Sequence, residues 1–420
     1  MMVDLDRLER VVEQQIEDRL RGLRQLCEAN ERKVFSAFTD VGVAETDMHG
    51  STGYGYDDMG RARLDQLFAR VFGAEAGLVR PAFVSGTHAL ATALFALLRP
   101  GDTLIYATGA PYDTLQPVIG TDARGSAGDG LAGDGSLRDW GVHYVELALD
   151  RDALDLTALV RAATEAAGRV VVALQRTPGY ADRATLAVAQ IAAAAETVRS
   201  ARPDARIVVD NCYAEFTERL EPTEVGADLV AGSLIKNPGG GIAPMGGYIV
   251  GTRSAVHQCA CRLTAPGIAG KAGAQELHRL YFQGLFLAPH TVGQALSGAV
   301  FAAAALRHAG FEVSSHLASA ELPEMIVRIR LGSAQRLVRF CQAIARSFPV
   351  DAHVRPVPGP MPGYAHDVIM ASGGFIQGGS LELSVDGPLR EPFVAYLQGG
   401  LTYAHVKYAV LRAIRDLTLS

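Results

Sequence analysis

The sequence predicts an α/β protein, with a large domain built on a mostly parallel sheet and a smaller α+β domain after it. Three observations carry this expectation. Continuously apolar, β-branched runs at 104–106, 170–174, 207–209, 229–231 and 248–250 alternate with helical segments, the pattern of strands buried on both faces and joined by crossover helices. The length, 420 residues, suits two domains better than one. Beyond about residue 290 the alternation gives way to long helices, a strand-like Ser380-Leu381-Glu382-Leu383-Ser384-Val385 and a closing helix from Tyr403. The expected division is an N-terminal arm at 1–45, a large domain at 46–290 and a small one at 291–420.

Taken in order, Leu5, Leu8, Val12, Ile16, Leu20, Leu23 and Cys27 recur three or four apart with Glu and Arg between them. Residues 4–29 therefore form an amphipathic helix, which needs a surface to lie on. The stretch 121–140 is rich in Gly, Asp and Ser, with Gly125, Gly128, Gly130, Gly133 and Gly135, and predicts a flexible surface insertion without chemistry. Residues 286–306 carry no charge, but Pro289, His290, Gln294 and Ser297 interrupt them, so a buried or interface helix is expected rather than a membrane span.

Composition narrows the function. Hydrophobic residues make up 49% and charged residues 20%, enough for a sizeable core. A net charge of -6 with no basic run argues against nucleic acid or membrane as partner. Five cysteines, few and odd in number, and a charged N-terminus without an apolar signal region predict a cytoplasmic protein with reduced thiols. Cys259 and Cys261 have the wrong separation for a zinc knuckle, so no metal is expected. The glycines of 239–247 are not followed by Gly-Lys-Ser/Thr, which sets aside a nucleotide loop.

The chemistry concentrates at strand ends. The run 207–209 ends in Asp210, followed by Asn211, Cys212 and Tyr213; the next ends in Ser233-Leu234-Ile235-Lys236 and a Gly239-Gly240-Gly241 loop. Ligands of open α/β sheets sit at the carboxyl ends of strands. A lysine there, beside a hydroxyl and a glycine loop that admits a planar ligand, is what a Schiff-base lysine requires. Pyridoxal phosphate acts as an electron sink only while its ring nitrogen stays protonated, a task for a carboxylate such as Asp210. Upstream, Ser85-Gly86-Thr87 opens an apolar helix whose N-terminus suits a phosphate, with Ser233 closing the cradle. Tyr112 is placed to stack on the pyridine face, and Tyr213 to hydrogen-bond the ring O3′ or simply to pack. His88, in the first turn of the cradle helix, either lines the site or is structural.

Taken together, Tyr54-Gly55-Tyr56, Ser85-Gly86-Thr87, Tyr112, Asp210-Asn211 and Ser233-x-x-Lys236 resemble the cystathionine-lyase and methionine γ-lyase group of pyridoxal-phosphate enzymes, of the aspartate-aminotransferase fold type I. The strings from Gly50 to Asp58, Arg80 to Ala89, Lys236 to Gly241 and Tyr396 to Leu401 bring the chain nearer to the methionine γ-lyase-like, or aluminium-resistance, branch, over roughly residues 35 to 415. The resemblance implies a lyase that eliminates a thiol or related leaving group from the β- or γ-carbon of an amino acid. Lys236 would carry the cofactor and shuttle the Cα proton, with Tyr112 assisting the leaving group. It also implies a homodimer or homotetramer in which Tyr56, with Tyr54 beside it, reaches the neighbour's phosphate and the N-terminal helix packs on a partner. An aminotransferase or racemase on the same fold, or a stress or metal-tolerance protein without turnover, are the competing readings.

The chain departs from the group on the substrate side. Where the group has an arginine before a Leu-Ser-Val strand to hold the substrate carboxylate, Glu382 stands here, and a carboxylate cannot hold a carboxylate. Arg390 and Arg176 are the expected replacements, because a guanidinium fork suits the task. Two further basic positions of the branch are lost in Arg176-Thr177-Pro178-Gly179-Tyr180 and Ile242-Ala243-Pro244-Met245-Gly246-Gly247, which predicts a specialised amino acid as substrate.

Overall fold

The computed structural model describes residues 4–121, 135–314 and 324–418. Its strands are β1 (Ala76–Arg80), β2 (Thr103–Tyr106), β3 (His143–Glu146), β4 (Val170–Gln175), β5 (Arg206–Asp210), β6 (Leu229–Ser233), β7 (Gly247–Gly251), β8 (Glu312–Val313), β9 (Ile326–Arg330), β10 (Val368–Ala371), β11 (Ser384–Pro388) and β12 (Val394–Gln398). Its helices are α1 (Leu5–Val41), α2 (Met59–Val71), α3 (Gly86–Leu97), α4 (Gln116–Ile119), α5 (Leu156–Glu165), α6 (Val188–Ala201), α7 (Arg253–Leu263), α8 (His278–His308), α9 (Ala334–Ala345) and α10 (Tyr403–Thr418).

A seven-stranded sheet in the order β1-β7-β6-β5-β4-β2-β3 forms the first layer system. The β6-β5-β4-β2-β3 stretch is parallel, while β7 runs antiparallel to both β6 and β1. Alternate residues of β4 enter different cores: Val170, Val172 and Leu174 pack into one, Val171 and Ala173 into the other. A strand buried on both faces has no polar side, which is why it reads as an unbroken apolar run. The second sheet, β10-β11-β12-β9-β8, is antiparallel throughout.

Helix α8 spans roughly 45 Å at 1.5 Å per residue and packs against α2, the loop after Lys236 and strands β8, β9 and β12 of the second sheet. Its most apolar window is 67% buried inside the molecule, against α1, α10 and the loop after Lys236, which accounts for its composition without a bilayer. Position 290 falls inside this helix. Helix α1 is longer than the expected 4–29, and its fate is different. Leu8, Val12, Ile16, Leu23, Val34 and Ala37 are buried in the core that α1 shares with the chain's own α8, so this apolar face has its cover within the chain. Six such side chains stabilise the contact by something on the order of 10 kcal/mol. Asp4 caps the helix start through the Arg7 N–H, and Gly42, at φ +68°, ends it.

The expected strand 380–385 begins only at Ser384. Ahead of it, the Leu381 N–H donates to Ile235 O and Glu382 accepts from the Phe375 and Ile376 amides, so these residues are committed to loop cross-links before any ladder can form. Glu382 is therefore a buried acid that folds the 374–376 loop, not a residue standing in a substrate pocket. Of the glycine-rich 121–140 stretch, 122–134 lie outside the described residues.

Candidate active site

The carboxyl ends of the parallel strands open into a cavity of about 420 Å³ lined by Ser85, Gly86, Thr87, Tyr112, Asp210, Tyr213, Ser233 and Lys236, with a far wall from the second sheet. These eight residues, predicted from strand and helix ends, are brought together. The register explains the floor: Gln175 pairs with Asp210 across β4 and β5, and β6 ends at Ser233 beside them.

Asp210 accepts a hydrogen bond from the Cys212 N–H at 3.0 Å. Burial raises its pKa, while the charge of Lys236 and the Cys212 amide pull it down. For Lys236 burial works against the charged form, but Cys212, Tyr213, Asp210 and Glu215 outweigh it and push the ammonium pKa up. Its Nζ sits 4.3 Å from the centre of the Tyr213 ring. Tyr213, at φ +64°, donates its hydroxyl proton to Gly379 O at 2.6 Å, joining the floor to the far wall. The Tyr213 ring thus packs over the lysine while its hydroxyl reaches the backbone of the 379–380 loop.

The loop after β5 is held from behind. Arg176, 1% exposed, donates to Asn211 Oδ1 (2.9 Å), Ala214 O (2.9 Å), Leu186 O (3.2 Å) and Glu218 Oε1 (2.5 Å). Asn211 in turn donates to Glu221, and Asn30 of α1 donates to Phe216 O and Glu218 O. With its guanidinium spent on this network and facing away from the cavity, Arg176 cannot bind a substrate carboxylate. Arg390 is also displaced. It lies 3.7 Å from Asp113 and lines an adjoining cavity with Arg328 and Arg330, separated by Tyr180 and Tyr396, which line both. No arginine lines the Lys236 cavity among the described residues.

The cradle is built by α3. The first N–H groups of a helix lack intrahelical acceptors, and Ser85 Oγ takes that of His88. Thr87 Oγ1 lies 2.6 Å from Thr114 Oγ1. A Cβ on Gly86 would stand 3.1 Å from Cys212 Sγ and 3.4 Å from Ser233 Cβ, so glycine lets this helix end approach the floor. A helix N-terminus with hydroxyls, a strand-end carboxylate and a lysine around one cavity fit the phosphate, ring nitrogen and aldehyde of pyridoxal phosphate. His88 turns away from the cavity, accepting from the Val84 N–H and packing edge-on to Phe83.

Tyr112 is fixed by its own N–H donating to Gln175 Oε1 at 3.0 Å and by space left at Gly179, where a Cβ would lie 2.5 Å from the ring. Its hydroxyl meets that of Tyr364 at 2.6 Å, and burial first, then Tyr364, raises its pKa well above the ordinary value. The phenol is thereby kept in its neutral form. Tyr54 and Tyr56 stack on each other at 5.4 Å and stand 74% and 67% exposed, outside the cavity of their own chain.

Residues that sequence reasoning missed form the far wall: Asp386, Tyr180, Tyr364, Tyr396 and Gln398. Of these, Tyr396 and Gln398 stand in the Tyr396 to Leu401 string that carried the resemblance, with no role assigned to them there.

Residues 5–418 match the family described as methionine gamma-lyase. A Bacillus subtilis (strain 168) protein of uncharacterised role, YnbB, is 46% identical over 398 residues, 94% of this chain and 92% of that one. A crystal structure of a carbon-sulfur lyase involved in aluminum resistance from Clostridium novyi NT superposes with a TM-score of 0.91 at 41% identity, covering 99% of this chain and 96% of that one. A candidate cystathionine beta-lyase involved in aluminum resistance from Listeria monocytogenes gives 0.91 at 45%, covering 98% and 99%. L-Methionine gamma-lyase of Pseudomonas putida is 28% identical over 228 residues, 53% of this chain and 48% of that one.

Proposed function

Because the chain belongs to the methionine gamma-lyase family, whose members are pyridoxal-phosphate-dependent lyases of fold type I, we propose that it removes a sulfur-linked leaving group from the β- or γ-carbon of an amino acid at the Lys236 cavity. The convergence of Asp210, Lys236 and the α3 cradle on one cavity is the observation that supports this site. The names borne by the structural relatives point to a thioether amino acid such as cystathionine.

The cofactor, when bound, withdraws electrons from the substrate Cα so that its proton can leave. Lys236 Nζ would hold the aldehyde carbon and, once released by the incoming amino group, take the Cα proton. Asp210 would hold the ring nitrogen protonated, and its neighbour Cys212 fixes it through the backbone. Gly86, Thr87, Ser85 and Ser233 would hold the phosphate. Tyr112, neutral and anchored by Gln175, can stack on the ring and hand a proton to the departing sulfur. Tyr213 closes the floor against the far wall and excludes water behind the lysine.

The exposed, stacked Tyr54 and Tyr56 support a homodimer or homotetramer in which Tyr56 completes the neighbour's cradle. Five unpaired cysteines fit a cytoplasmic location. The test is to supply purified holoenzyme with thioether amino acids and assay thiol, 2-oxo acid and ammonia together. All three in equal amounts support elimination; amino transfer or racemisation without thiol release refutes it.

A further inference from the structure

The far wall of the cavity combines two features of which the cofactor and the elimination chemistry draw on Tyr112 alone. One is Asp386 on β11, 3% exposed, whose Oδ1 has no hydrogen-bond partner among the described residues. Its Oδ2 has only Gln398 Nε2 at 3.4 Å, a group shared with Ser384 Oγ at the same distance. The Tyr180 hydroxyl stands near enough to hold the Asp386 pKa down, yet its oxygen completes no bond of good geometry. A buried acid left in this state costs stability unless a ligand satisfies it.

The other feature is a cluster of four tyrosine rings beside that acid. Tyr180 lies 5.8 Å from Tyr112, 5.9 Å from Tyr364 and 4.7 Å from Tyr396, centroid to centroid, and Tyr112 and Tyr364 are 6.1 Å apart, edge to face. All four rings line the same cavity as Asp386 and Lys236. Aromatic faces around a carboxylate are what desolvated ammonium groups are recognised by, through ring quadrupoles and a charge-assisted hydrogen bond.

Charge bookkeeping points the same way. The charged residues lining the cavity, among those described, are Asp210, Lys236 and Asp386. Lys236 is the one cation facing both Asp210 and Asp386, and the cradle takes an anion, so the two carboxylates share a single counterion. A neutral or anionic side chain would leave them so.

We infer that Asp386 and the Tyr112, Tyr180, Tyr364, Tyr396 cluster form a cation subsite that selects amino acids whose sulfur-linked portion ends in a primary ammonium. The inference rests on the lyase reading above for the word substrate, while the subsite itself is a matter of binding. Asp386 is thus a specificity-determining residue and no proton donor is required of it.

The test uses two isosteric probes on holoenzyme, S-(2-aminoethyl)-L-cysteine and S-propyl-L-cysteine, which differ only in a terminal ammonium against a methyl group. Half-saturation is read from the change in visible absorption, and thiol release is followed in parallel. The wild type is expected to favour the ammonium probe by at least about tenfold, and Asp386→Asn to reduce that ratio to about twofold or less. Tyr180→Phe, which keeps the ring, should retain most of it. Equal half-saturation of both probes in the wild type, or an unchanged ratio in Asp386→Asn, overturns the assignment. A strong preference with no thiol released from either probe sustains the subsite and refutes the lyase reading instead; thiol released equally well from both does the reverse.

Discussion

Replacing Asp386 by Asn removes a buried titrating group, and its effect on stability can be worked out. Burial pushes the Asp386 carboxyl up from 3.8 to about 7, with the Tyr180 hydroxyl and the Lys236 charge only partly opposing it. A carboxyl whose pKa is raised by folding supports the fold fully below its unfolded pKa and loses that contribution as pH rises through the folded pKa. Between about pH 4 and 7 the wild type should therefore lose on the order of 3 kcal/mol that Asp386→Asn does not lose. Glu215, pushed up by burial to about 8, acts in the same sense but is common to both proteins and cancels in the difference. The assay is urea denaturation at fixed protein concentration and saturating cofactor, since both shift apparent stability by mass action. The variant should gain on the wild type steadily from about pH 4 to 7 and level off outside that window. A difference that is flat with pH, or one that runs the other way, would refute the argument that this acid is buried without compensation.

Other outcomes follow from particular contacts. Gly86→Val brings a branched side chain against Cys212 Sγ and Ser233, so cofactor content after dialysis should fall at least about tenfold while circular dichroism stays unchanged. Arg176→Met leaves Glu218 and the Asn211 loop without their partner and should cost about 3 to 5 kcal/mol in denaturation; KM of the folded fraction should stay within about twofold, whereas a carboxylate-binding arginine would raise it far more. Mixing Tyr56→Phe with Lys236→Ala subunits regenerates intact sites only if Tyr56 acts across the interface, and then restores up to about a quarter of wild-type activity. Activity confined to the sum of the parents would place Tyr56 in its own subunit's function.

What the sequence discloses depends on where a residue lies in the sheet. Strands β4, β5 and β6 are buried on both faces and announce themselves as apolar runs, with Asp210 and Lys236 at their ends. Strands β1 and β3 went unpredicted because they sit at the two edges, where Gly77 and the half-exposed His143-Tyr144-Val145-Glu146 dilute the pattern. The antiparallel direction of β7 is not written in its composition, only in its pairing with β6. Arg176 misled because it follows Gln175 at a strand end; successive side chains point to opposite faces, so Gln175 enters the cavity and Arg176 meets the loop behind. Asp386 was invisible for the opposite reason. It lies far from Lys236 along the chain, and only the pairing of β11 with β12 and the approach of the second sheet bring it to the cavity.

Whether Lys236 holds the cofactor is decided by reducing the holoenzyme with borohydride and mapping the tagged peptide. The expected result is a visible absorption band that borohydride abolishes, with the mass of reduced pyridoxal phosphate on the peptide containing Lys236 and on no other. A protein without such a band, or a tag on Lys33, Lys271 or Lys407, would contradict it.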